Sequence, residues 1–317
     1  MRRLVLMAVA GWLAGAAGVV VADPAASPVR VVTSVAPLAD LVARVGGDNI
    51  ALTQLIPDGM DAHTFEPPPT SAKALAGAQL VLFNGLDLEE SLLRMARANV
   101  PVGTPIILLG ELVVPSSARL YDWSFPRSRG HPNPHVWLNV AYAIQEVEAI
   151  DRALASVNPG HADRYHERAG ALTQQLTRLN QAIAATIQTI PPAHRLLVTY
   201  HDSWPYFARQ YGLTVLGAVQ PASFLEPSAR DVARLIAQVR RTGVPAIFGS
   251  EVFPNQVVET IGREAGARYV DTLRDDVLPG PVGSPQHSYV GLMLENVRTM
   301  VAALGGDPAA LVAVEPR

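Results

Sequence analysis

From residue 29 onward, short apolar runs alternate with helical stripes, and this alternation predicts a parallel sheet covered by helices. Apolar runs at residues 29–33, 51–56, 80–83 and 106–109, with helices between them, make one α/β lobe. An irregular stretch over 110–134 and a helix over about 139–156 follow, and Asn158-Pro159-Gly160 then punctuates the chain. Beyond it, Tyr165, Ala169, Leu172, Leu176, Leu179, Ile183, Ile187 and Ile190 recur at intervals of three and four until Pro191-Pro192. That is one helical face sustained for about eight turns, or ~45 Å at 1.5 Å per residue, long enough to lie along two lobes. A coiled-coil arm is the alternative, but no second heptad segment accompanies the stripe. Strands then resume near 196–200, 214–219, 246–249 and 268–272, with helices over 204–211, 227–242, 254–265 and 289–304, and Pro227 suits a first helical position.

The expected fold is therefore α/β: two (βα)4-like lobes with parallel sheets, spanning 29–157 and 194–306, joined by one long, stiff helix within 158–191. Ligands of open parallel sheets sit beyond the carboxyl ends of the strands, so a site is expected in the interlobe cleft, on loops that follow strands.

Composition narrows the function. With 49% hydrophobic and 17% charged residues, the 317-residue chain reads as globular, and a net charge of −3 with no basic cluster speaks against a nucleic-acid surface. Arg2 and Arg3, an apolar stretch over 4–21 and the small-residue exit Val20-Val21-Ala22 form a secretory signal over residues 1–22, preferred to an uncleaved anchor because of its Gly and Ala content. Its removal takes away two positive charges and brings −3 to −5. With no cysteine, a disulfide framework, a thiolate metal site and a lipid-anchored N-terminus are all excluded, so the expected location is the periplasm, free in solution.

Candidate chemistry lies in the histidines. His63 stands in Asp61-Ala62-His63-Thr64-Phe65-Glu66-Pro67, after the second strand. His135 stands in Asn133-Pro134-His135-Val136-Trp137, where the proline stiffens the approach. His201 follows the first strand of the second lobe and precedes Asp202-Ser203-Trp204-Pro205-Tyr206-Phe207, and Asp275 occupies the last strand-to-loop passage. Neutral imidazoles and a carboxylate suit zinc in a tetrahedral site. The remaining histidines, His131, His161, His166, His194 and His287, have ordinary surface or helix-face explanations.

These four segments, in this order and with the long helix between them, resemble the ligand segments of the zinc/manganese solute-binding proteins of ABC importers, the cluster A-I metal receptors. The resemblance covers essentially the whole mature chain. It implies metal held at His63, His135, His201 and Asp275, and as partners a membrane permease and its cytoplasmic ATPase, with a periplasmic metallochaperone as a further candidate and a monomeric receptor. Members with histidine at the third position are often zinc receptors, whereas glutamate there is typical of manganese receptors. Zn²⁺ is therefore favoured, with Mn²⁺ or Fe²⁺ as the alternative. The chain departs from the pattern at Asn133 and Asn139, where relatives usually carry aspartate, so any support for His135 from those positions should be electrostatically weaker. The stretch 110–134 contains only His131, which leaves a histidine-rich capture role for it unsupported.

A zinc hydrolase is the rival class, with Glu66 or Glu251 as base, but four protein ligands leave no place for water and no helical His-Glu-x-x-His segment occurs. A receptor for an organic ligand would need a wide aromatic or basic pocket. An adhesin with structural metal is disfavoured by the missing anchor cysteine. No enzyme activity is expected.

Overall fold

The computed structural model describes residues 27–220, 227–251 and 256–316, so the expected signal segment over 1–22 lies outside the described residues. The first lobe is built from β1 (Val29–Thr33), α1 (Ala36–Gly46), β2 (Ile50–Gln54), α2 (Pro69–Ala76), β3 (Leu80–Phe83), α3 (Glu90–Asn99) and β4 (Ile106–Leu108). After it come a short α4 (Leu109–Val113), α5 (Val140–Val157) and the 26-residue α6 (Ala162–Ile187). The second lobe contains β5 (Leu196–Thr199), α7 (Pro205–Tyr211), β6 (Thr214–Ala218), α8 (Ala229–Thr242), β7 (Ala246–Ser250), α9 (Gln256–Ala265), β8 (Arg268–Leu273) and α10 (Tyr289–Leu304).

Both sheets are four-stranded and parallel, with orders β2-β1-β3-β4 and β6-β5-β7-β8. The central strands β3 and β7 are wholly buried, which is why β3 reads as an unbroken apolar run and β7 as one up to Gly249-Ser250. In each sheet the chain leaves the first strand for one side and returns to the other, which opens a crevice at the carboxyl ends.

The eight apolar positions that mark the long helix are all buried, although Ile190 lies just past its end. At 1.5 Å per residue α6 is ~39 Å long, and it packs against α5, α1, α10 and α7, touching elements of both lobes. One apolar core runs from Val31 and Leu82 of the first sheet through α5 and α6 to Leu197, Phe248 and α10. A separate, smaller core lies under α8 and α9, around Val198, Ile247, Val239 and Ile261.

Three local expectations are corrected. The α8 helix begins at Ala229, not at Pro227: Ser228 is its N-cap, with Oγ accepting from the Asp231 N–H at 3.2 Å, which the preceding proline cannot replace. Asn139 likewise caps α5, accepting from the Ala141 N–H at 2.9 Å, so it serves the helix and not His135. The stretch 110–134 is not wholly irregular, because α4 opens it. There Gly110 is needed for space: a Cβ at this position would lie 2.9 Å from the Asn84 carbonyl oxygen.

Candidate metal site

His63 follows β2 in a loop fixed by Asp61, which accepts from the His63 N–H and from Thr64 Oγ1, both at 2.9 Å. His135 leads into a single 3-10 turn, Val136–Leu138, and its loop is gripped by Asn84 Nδ2, which donates to the Pro134 carbonyl at 3.0 Å. Asn84 is itself held at the end of β3, where Glu89 accepts from its N–H (2.7 Å) and from that of Gly85 (3.1 Å). His201 lies two residues beyond β5, and Asp275 two residues beyond β8.

The three imidazoles meet. Their ligand nitrogens lie within 4.8 Å of one another, and they are the one group of three or more potential metal-binding side chains found among the described residues. His63 Nε2 is 3.3 Å and His201 Nε2 2.8 Å from His135 Nε2. Asp275 approaches from one side, its Oδ2 3.5 Å from His201 Nε2, while standing outside the tight group of three. A tetrahedron with bonds of 2.0–2.1 Å has edges of ~3.3 Å, so these separations are on the scale of a zinc shell.

Outward hydrogen bonds fix which nitrogen faces inward. His135 Nδ1 donates to Asn133 Oδ1 at 2.8 Å, and His201 Nδ1 donates to Gln220 Oε1. The Nε2 lone pairs of both rings therefore converge, and at 2.8 Å they repel unless a cation or a proton lies between them. Burial holds the protonated forms of all three imidazoles below the usual 6.5, His201 also pushes His63 and His135 down, and Gln220 returns part of the loss at His201. Neutral imidazole is the ligating form.

Burial also lifts Asp275 to about 6, with Ser203 and Glu251 close enough to offset part of the rise. Neither of its carboxylate oxygens has a hydrogen-bond partner of normal geometry among the described residues. Its loop is pinned from two sides. Glu251 Oε1 accepts from the N–H groups of Asp275 (2.7 Å), Asp276 (3.0 Å) and Val277 (3.3 Å), and Trp137 Nε1 donates to the Asp275 carbonyl at 2.9 Å. One buried carboxylate, that of Asp275, beside three converging imidazole nitrogens is a donor set suited to a divalent cation.

Phe125 closes the outer side, 5.3 Å from the His63 ring and 5.8 Å from that of His135. Half-buried His63 also lines a pocket of about 150 Å³ with Phe125, Asp87, Glu90 and His131. The other histidines stay apart: His131 pairs with Asp87 and His166 with Asp151, both at 2.8 Å, while His161 bonds Asn158, His194 the Leu304 carbonyl and His287 the Gly280 carbonyl. Glu66 is exposed and bonded to Ser91, and Glu251 is occupied with backbone N–H groups, so neither is placed as a general base. Sequence reasoning missed Gln220, Asn84, Glu89 and Phe125. For the first two, position just beyond a strand's carboxyl end was the available signal.

Two parallel-sheet lobes spanned by a helix, with imidazoles converging between them, place the chain in the class of two-lobe metal-binding proteins. The family model described as ZnuA, zinc-uptake complex component A, periplasmic, matches residues 31–303, and the chain belongs to this family of metal-binding solute receptors of ABC transporters. It is 30% identical over 279 residues to the zinc-binding protein TroA of Treponema pallidum, covering 86% of this chain and 88% of that protein. The solved structure of TroA superposes with a TM-score of 0.79, covering 88% of this chain and 99% of that one. The manganese-binding lipoprotein MntA of Halalkalibacterium halodurans is 28% identical, covering 87% of this chain and 88% of its own. A Mn-bound periplasmic metal-binding protein from Candidatus Liberibacter asiaticus is 25% identical, with a TM-score of 0.76 and coverage of 86% and 98%.

Proposed function

We propose that this receptor captures zinc in the periplasm and delivers it to an ABC permease driven by a cytoplasmic ATPase, with His63, His135, His201 and Asp275 as the four ligands. The lobes are taken as 29–157 and 194–306, with the connecting helix within 158–191, and the receptor as a monomer. The observation that carries the reading is the convergence of three Nε2 atoms at separations on the scale of a zinc tetrahedron. Three nitrogens and one carboxylate suit zinc better than manganese, which prefers more oxygen ligands. Likeness to TroA, named for zinc, supports the same choice.

Manganese is the second reading, because MntA is named for that metal and the Liberibacter protein is a manganese complex. Competition titration of metal-free protein decides between them. Zinc is expected to displace manganese at equal concentration. Tighter binding of manganese would overturn the zinc assignment, and failure to bind either ion would overturn the receptor reading. Whether a metallochaperone loads the site is open to a direct transfer assay with periplasmic extract.

A further inference from the structure

Asn133 is fully buried, and each polar atom of its side chain has a partner. Nδ2 donates to Asp122 Oδ2 at 3.0 Å and to the Asp202 carbonyl at 2.5 Å. Oδ1 accepts from the His135 backbone N–H at 3.1 Å and from His135 Nδ1 at 2.8 Å. The Asp202 carbonyl can only accept, so the amide nitrogen must face it and the amide oxygen must face the ring. An oxygen facing Nδ1 requires the hydrogen on Nδ1. That leaves the lone pair on Nε2, the atom turned toward His63 and His201.

The same amide reaches across the cleft. Asp202 adjoins His201, so Asn133 in the first lobe also holds the loop that carries the second lobe's histidine. The surrounding bonds reinforce the link: the Ser124 N–H donates to Asp202 Oδ2 at 2.8 Å, and Ser124 Oγ donates at 2.6 Å to the carbonyl of Gln220, whose side chain holds His201. Two imidazoles from different lobes are thereby set in register through one buried side chain.

We propose that Asn133 is a positioning residue that fixes the tautomer of His135 and locks it in register with His201, and that this position demands an amide and not a carboxylate. An aspartate of the same shape keeps the acceptor for His135. It offers no hydrogen to the Asp202 carbonyl, however, and sets a third carboxyl group beside Asp122 and Asp202.

The inference rests on the reading of His135 and His201 as ligands, and its test separates the two. Long-range ¹⁵N–¹H NMR of the metal-free mature chain at pH 8 is expected to show His135 as the Nδ1–H tautomer, whereas an Nε2–H form would overturn the proposal. In Asn133→Asp the tautomer is expected to persist while zinc affinity falls about 10–100-fold, the range of a lost outer partner. In Asn133→Ala the tautomer is expected to become mixed, with a loss of affinity in the same range. Zinc binding by Asn133→Asp as tight as that of the unaltered protein would overturn the demand for an amide. If a variant does not fold, the tautomer of the unaltered protein decides. If that protein binds neither zinc nor manganese, the receptor reading fails while the tautomer result stands or falls separately.

Discussion

The two sheets share one strand order, so each loop of the first lobe has a counterpart in the second, yet the counterparts do different work. The loop after β2 presents His63, whereas its counterpart after β6 presents Gln220, which holds His201. After β3, Asn84 grips the His135 loop through the Pro134 carbonyl; after β7, Glu251 grips the Asp275 loop through three N–H groups. After β5 stands His201, where the first lobe has only Ser34 after β1. A repeated architecture thus fixes where side chains can meet, while the choice of ligand or holder at each loop is free.

The comparison can be broken most directly at the histidines themselves. His201→Ala removes a buried proposed ligand and its bond to Gln220, and zinc affinity by competition calorimetry is expected to fall by well over the about 100-fold of a lost outer partner. His63→Ala, at a half-buried position, is expected to cost less. Equal losses would show that the lobes contribute alike.

The seam between the lobes gives the next effect. Glu146 on α5 is fully buried, with neither oxygen bonded among the described residues, near Tyr289 of α10, and burial raises it to about 8. Its ordinary value is 4.5, so between those values the folded state holds a proton that the unfolded chain has lost, and stability declines as pH rises through that window. Glu146→Gln should remove the decline and gain a few kcal/mol at pH 9 while changing little at pH 4. Melts with parallel pH dependence in both proteins would refute this.

A smaller effect is expected at the two holders. Glu251→Ala leaves three N–H groups without their acceptor and should lower zinc affinity about 10–100-fold, whereas Asn84→Ala removes one bond to the His135 loop and should cost about 1 kcal/mol of stability. The reverse order would mean that the first lobe's loop is the weaker built. Acidification should act through the second lobe first. The imidazoles lie below 6.5 and Asp275 near 6, while burial raises Glu251, the holder of the Asp275 loop, to about 8, so affinity should ease from pH 8 to 7 and fall about tenfold per unit once pH drops below 6. Release already complete near 6.5, as unperturbed imidazoles would give, is the contrary result. His194→Ala, remote from the site, should leave affinity unchanged.

The strands were legible to within two residues because buried parallel strands are continuous apolar runs, and the long helix because its stripe is buried throughout. All four proposed ligands stood on loops following strands or stiffened by proline. Long-range matters were not legible: the order of strands, the burial of Gln220 against His201, and the double duty of Asn133, whose partners lie 11 and 69 residues away. Asn139 misled because an asparagine near a ligand and an asparagine at a helix start look alike in one dimension. Only coordinates distinguish them.

The apolar core that passes from Val31 through α6 to Phe248 and α10 ties the fate of each lobe to the other. Chemical denaturation should accordingly proceed as one transition, with no half-folded species at intermediate urea. Either half expressed alone would present the greasy flank of α5 or α10 to water, inviting self-association in place of independent folding.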